Sequence, residues 1–258
     1  MKNTNTLIFD MDGVIADTES IKFEAYRQVY EELFNTIIVD GEWRIGLGEE
    51  SALRGYLERS IHDVKKSVVR GFLNAKHNRI KELFGNCKEQ MLNELEKENI
   101  PDCMIPIVGK VKREKYAALL ETALKPINGA VEFVKYAKDN HYRLAVATGS
   151  TRTEADKILS KFGIKKYFGA IITKDDIGTG RGKPLPDPYL ACLKKLNAEP
   201  QNCVVIEDGV AGVRSAIAAN LKVIAISTTT PKQKLIDAGA TYVVDTFEDL
   251  KTHLNSNR

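Results

Sequence analysis

No run in this 258-residue chain approaches the roughly 18 consecutive apolar residues that would cross a bilayer, so no membrane span is expected. Cysteine is sparse. Cys87, Cys103, Cys192 and Cys203 are scattered with no CxxC pair, which argues against a zinc ribbon or a disulfide scaffold. They read as small buried thiols in a reducing compartment. The four histidines, His62, His77, His141 and His253, are dispersed and form no ligand pattern. Charge of one sign is also lacking: the net charge is only +3, too little to argue for nucleic acid or a membrane surface as partner. The stretch 1–6 is polar and Leu7-Ile8-Phe9 is too short for a signal-peptide core, so a cytoplasmic protein is expected. No internal repeat or low-complexity tract is present.

What is there suits one large or two modest soluble domains, with 43% apolar and 28% charged residues. The informative stretch is Leu7-Ile8-Phe9-Asp10-Met11-Asp12-Gly13-Val14-Ile15. Its apolar run reads as a short buried strand that ends at Asp10. Side chains two apart on an extended backbone point the same way, roughly 7 Å apart, so Asp10 and Asp12 can share a site. Paired carboxylates suit a nucleophile with an acid/base, a metal site, or both. An EF-hand loop does not fit, because its required glycine would fall at Ile15.

Two textures divide the chain. From 19 to 125 it reads as almost entirely helical, with a helix entry at Asp17-Thr18-Glu19-Ser20 and further helices near 87–97 and 112–124. Ile100 to Pro106 reads as a punctuated loop between the last two, and Lys110 to Lys115 as a solvated helix face. Beyond Lys125-Pro126, helices alternate with β-rich runs at 143–148, 170–172, 204–206, 223–226 and 242–244. That alternation predicts right-handed βαβ crossovers and a parallel sheet covered on both faces. The first strand belongs to this sheet. The expected organisation is therefore an α/β, Rossmann-like core from residues 1–18 and 126–258, with residues 19–125 inserted as an all-helical cap domain.

Sites in open parallel sheets form beyond the carboxyl ends of the strands. Asp10 and Asp12 follow the first strand. Thr148-Gly149-Ser150 follows the second and leads into a helix, where a hydroxyl and free N–H groups suit an anion. Glu207-Asp208-Gly209 follows the fourth, preceded by a prolyl loop carrying Lys183. Two carboxylates about 7 Å apart repel by roughly 2.4 kcal/mol at an effective dielectric of 20, and four acids compound this. A hard divalent cation relieves it, and oxygen-only donors favour Mg²⁺. Metal, lysine and helix N-terminus together equip a site for a phosphoryl group.

In order, Asp10 to Thr18, Thr148-Gly149-Ser150, Lys183-Pro184-Leu185-Pro186-Asp187-Pro188 and Val205 to Val213 resemble the four motifs of the haloacid dehalogenase (HAD) superfamily. The helical insertion resembles the cap of its β-phosphoglucomutase and phosphatase (CbbY-like) subgroup. The resemblance implies a Mg²⁺-dependent cytosolic enzyme that acts, commonly as a monomer, on a small phosphorylated metabolite. It makes Asp10 the nucleophile, carrying an aspartyl-phosphate, and Asp12 the acid/base whose backbone carbonyl ligates the metal. Asp208 is a further metal ligand, with Glu207 in direct contact with the metal or just behind. Gly13, Thr148, Gly149 and Lys183 hold the phosphoryl group or substrate.

Two departures bear on the reaction. The mutase has a histidine twelve residues past its nucleophile, where this chain has Lys22. Its first cap loop carries Lys and Arg, where this chain reads Gly46-Leu47-Gly48-Glu49-Glu50-Ser51. Both favour a Mg²⁺-dependent phosphatase of a sugar phosphate over a β-phosphoglucomutase-type phosphomutase, the alternative reading. A receiver-type phosphorylatable switch fits less well with the insertion and the motif order. Substrate choice is expected at 43–51 and Arg54, with Trp43 as cap packing. The cap is expected to close about linkers near Asp17-Thr18 and Lys125-Pro126.

Overall fold

The computed structural model describes residues 4–34 and 104–256, with side chains described over 4–29 and 109–256. The expected helix at 87–97, the loop at 43–51, Arg54, Cys87, Cys103, His62 and His77 lie outside these residues. By contacts the chain divides into two compact units, Met1–Glu19 with Leu124–Arg258, and Ser20–Ala123.

The first unit is built on six strands: β1 (Thr6–Phe9), β2 (Arg143–Ala147), β3 (Phe168–Ile172), β4 (Cys203–Glu207), β5 (Lys222–Ile226) and β6 (Tyr242–Val244). Every pairing is parallel, in the order β3-β2-β1-β4-β5-β6. β1 is central, and the chain fills one side of it before crossing to the other. The strand order therefore reverses beside β1, where an open α/β sheet leaves a crevice at its carboxyl edge. β1 and β4 are buried at every position, as their continuous apolar runs require of strands covered on both faces.

Alternation along β1 sends neighbouring side chains to opposite layers. The Phe9 ring meets Phe133 edge-on at 6.1 Å, and Phe133 meets Phe247 at 5.3 Å. One layer is thus built with α3 (Ala130–Asp139) and α9 (Phe247–Ser256). Ile8 instead joins Tyr189, Cys192, Val205 and Val213, on the side of α6 (Asp187–Leu196) and α7 (Val210–Ala218). The remaining helices of this unit are α4 (Arg152–Lys161), α5 (Lys174–Ile177) and α8 (Lys232–Asp237).

The helices α1 (Thr18–Phe34) and α2 (Met104–Thr122) mark the two ends of the insertion. α2 corrects the sequence reading, which starts this helix at Lys112 and treats Pro106 as loop. The proline sits in the first turn, where its missing N–H would have no intrahelical partner. Within the second unit the Lys112 ammonium lies over the Tyr26 and Tyr116 rings, at 5.5 and 5.2 Å. In the first unit the two linkers run side by side. The Asp17 N–H donates to the Lys125 carbonyl at 3.0 Å, and the Ile127 N–H to that of Ile15, also at 3.0 Å. Among the described residues no helix is long and apolar enough to cross a membrane.

Candidate active site

β1 ends at Phe9, and the Asp10 N–H carries the pairing with β4 one residue further, donating to the Ile206 carbonyl at 2.9 Å. The Asp10 carboxylate is thereby fixed at the end of the central strand and 94% covered. β4 ends alongside it and delivers Glu207 and Asp208, both buried. Carboxylate oxygens of Asp10, Glu207 and Asp208 all lie within 4.8 Å of one another. Lys183 reaches this trio from the prolyl loop. Its ammonium pairs with Asp10 Oδ1 and with Glu207 Oε1, the latter at 2.6 Å.

Glu207 is the most heavily bonded member. Its Oε1 also accepts the Tyr189 hydroxyl at 2.7 Å, and its Oε2 accepts the N–H groups of Asp208 and Gly209 at 3.0 and 3.1 Å. The carboxylate thus meets the positive start of α7, a favourable place for an anion. It also needs room. A Cβ on Gly212 would come within 1.7 Å of Glu207 Oε1. Asp208 is held differently, by the Thr229 hydroxyl on its Oδ2.

Three buried carboxylates face one lysine, and the charges respond. Burial above all, then Glu207 and Asp12, push the Asp10 carboxyl up to about 7 against the pull of Lys183. Burial, Glu207 and Asp10 raise Asp208 well above the usual carboxylate range, opposed by the bond from Thr229 and by Lys183. Burial would lower Lys183, but Asp10 and Glu207 outweigh it, so the ammonium stays charged. This trio lacks one divalent cation's worth of positive charge. Its donors are all oxygens, so the residues fit a hard ion such as Mg²⁺. Lys183 and Thr229 each engage one oxygen, of Asp10 and of Asp208, leaving each acid a second; both oxygens of Glu207 are already bonded.

Asp12 is placed apart from the trio. Its Oδ1 accepts the Thr18 hydroxyl at 2.6 Å, and its Oδ2 accepts those of Thr148 and Ser150 at 2.9 and 3.0 Å. The Thr148 hydroxyl, expected to serve a phosphate, donates to Asp12 and accepts the Ser150 N–H at 3.0 Å. Gly149 stands in open space. The turn is held by Thr151, which caps α4 through a reciprocal pair of bonds with Glu154. Beside it opens a cavity of about 710 Å³, bounded by Thr148, Gly149 and Lys183 and by Lys174, Thr179 and Gly180.

Gly13 plays a spatial part. Its φ is +80°, and a Cβ there would come within 2.1 Å of Asp208 Oδ2. Its N–H donates to the Ala16 carbonyl at 2.9 Å, and its carbonyl accepts the Thr228 hydroxyl at 2.6 Å. Sequence reasoning did not single out Tyr189, Thr228 or Thr229, or the hydroxyls of Thr18 and Ser150 as partners of Asp12. The only available signal was position: Tyr189 directly follows the prolyl motif.

Residues 4–220 match the haloacid dehalogenase-like hydrolase family. The chain is 30% identical over 247 residues to the phosphorylated carbohydrates phosphatase of Thermotoga maritima, covering 95% of each. It is 29% identical over 228 residues to Protein CbbY of Rhodobacter capsulatus, covering 84% of this chain and 83% of that one. The crystal structure of CbbY from Rhodobacter sphaeroides in complex with phosphate shares the fold, with a TM-score of 0.62 at 24% identity over 96% of each chain. Sheet order, the strand ends that bear the acids and the matched span agree, and the chain belongs to the haloacid dehalogenase-like hydrolases.

Proposed function

We propose that this protein is a Mg²⁺-dependent phosphatase that hydrolyses a small phosphorylated carbohydrate through an aspartyl-phosphate on Asp10. The observation that carries the reading is the buried group of Asp10, Glu207, Asp208 and Lys183 at the carboxyl edge of the sheet, beside the Thr148-Gly149-Ser150 turn. The substrate class is supported by the Thermotoga relative, whose name gives phosphorylated carbohydrates.

Asp10 and Asp208 would hold the cation through their carboxylates, with the Asp12 carbonyl as a further ligand. Bound there, it supplies positive charge that offsets the phosphate's own and lets a carboxylate approach phosphorus. Lys183 pairs with one phosphoryl oxygen and the Gly149 N–H with another, since the Thr148 and Ser150 N–H groups already donate to the Ile172 carbonyl and the Thr148 hydroxyl. The free oxygen of Asp10 attacks phosphorus, and the bond to the leaving oxygen breaks as Asp12 gives that oxygen a proton. Asp12, now a base, takes a proton from water. The hydroxide formed attacks phosphorus, and the bond to Asp10 breaks to release phosphate. Hydroxyls from Thr18, Thr148 and Ser150 orient Asp12 for both transfers.

Phosphate release from a panel of sugar phosphates with Mg²⁺ tests the proposal. Activity should vanish in Asp10→Asn, and turnover that persists in that variant refutes it.

A further inference from the structure

The phenol of Tyr189 lies directly behind the cationic arm of the site. It is fully buried on α6, and its hydroxyl donates at 2.7 Å to the same Glu207 oxygen that pairs with Lys183. The Lys183 ammonium also lies 5.3 Å from the centre of the Tyr189 ring, within cation–π range. One side chain thus touches Lys183 through its ring and through the acid that Lys183 is paired with. Burial, then the charges of Glu207 and Asp10, raise the phenol well above its ordinary range, so it stays a neutral donor.

We infer that Tyr189 is a positioning residue that divides Lys183 between Glu207 and the incoming phosphate. The inference rests on the phosphatase reading above. Glu207 Oε1 accepts two donors, and each weakens its hold on the other. Removing the hydroxyl leaves Glu207 more strongly negative. Lys183 is then drawn back toward Glu207, and the site repels a phosphate dianion more. Both effects weaken anion binding. The same surplus of negative charge leaves a bound cation at least as well held. A loosened core would weaken both ligands together.

Tyr189→Phe separates these outcomes, because it deletes one oxygen and keeps the ring. Inorganic phosphate should inhibit the variant about threefold to tenfold more weakly, the scale of one ordinary net hydrogen bond, because the lost bond acts on phosphate only through Glu207 and Lys183. The Mg²⁺ concentration giving half of the maximal rise in melting temperature should be unchanged or lower. In a Glu207→Gln background the same substitution should have no further effect on phosphate inhibition, because the path through Glu207 is gone. Equal phosphate inhibition in wild type and Tyr189→Phe overturns the inference. So does parallel loss of phosphate and Mg²⁺ affinity, or a variant too unstable to fold, since either assigns the hydroxyl to stability. A wild-type protein that releases no phosphate from any ester and is not stabilised by inorganic phosphate instead refutes the phosphatase reading.

Discussion

At the scale of single residues the site is a problem of space and charge. Gly13 and Gly212 exist to leave room: a methyl at either would enter the carboxylate of Asp208 or Glu207. Gly13→Ala adds the left-handed backbone to that clash and should cost about 2 kcal/mol or more, read as a drop in melting temperature. Gly149→Ala, with nothing within 4 Å, should melt as the wild type does. Charge gives a pH dependence. Asp10 is raised to about 7, so the folded protein holds a proton that the unfolded chain releases near pH 4. Across that window the folded state binds more protons, and the stability of the metal-free protein falls as pH rises. Mg²⁺ competes with that proton, so the rise in melting temperature it gives should be larger at pH 8 than at pH 5. An equal rise at both values would place the metal elsewhere. Cys192 shows the same physics on a thiol: burial pushes it up to about 12. Alkylation should label it only after denaturation, as read by peptide mass spectrometry.

Secondary-structure elements turn these residues into a site by where they end. β1 and β4 stop side by side and release Asp10, Glu207 and Asp208 together, and β2 stops beside them to release Thr148. The α4 cap is the element on which the anion turn depends. Thr151→Ala removes it and should cost about 1 kcal/mol, with weaker inhibition by inorganic phosphate and little change in the response to Mg²⁺. The strands were legible in the sequence because a strand buried on both faces is a continuous apolar run, and an acid at its end can only lie at the rim. The start of α2 was not, because Pro106 reads as a loop signal unless the helix is known to begin just before it. Partners across the sheet were not legible either. Ser150 reaches Asp12 from 138 positions away, and Tyr189 reaches Glu207 from a helix whose register depends on the packing of α6 against β2 and β3. Neither spacing is periodic, so no local pattern encodes it.

For the whole molecule the strand order matters most. Because the chain fills one side of β1 and then the other, the loops after β1, β2 and β4 converge where the order reverses. The two linkers of the insertion pair with each other at the same edge, through Asp17–Lys125 and Ile15–Ile127. Entry and exit of the inserted segment are therefore tied to the loop that carries Asp10 and Asp12. Asp10 is the central claim, and it is tested most directly by trapping the protein during turnover. Acid quenching with a sugar phosphate and Mg²⁺ present, followed by peptide mass spectrometry, should find phosphate on Asp10 and on no other residue. Steady turnover with Asp10 unmodified at every quench time, or with the phosphate on a different side chain, would contradict it.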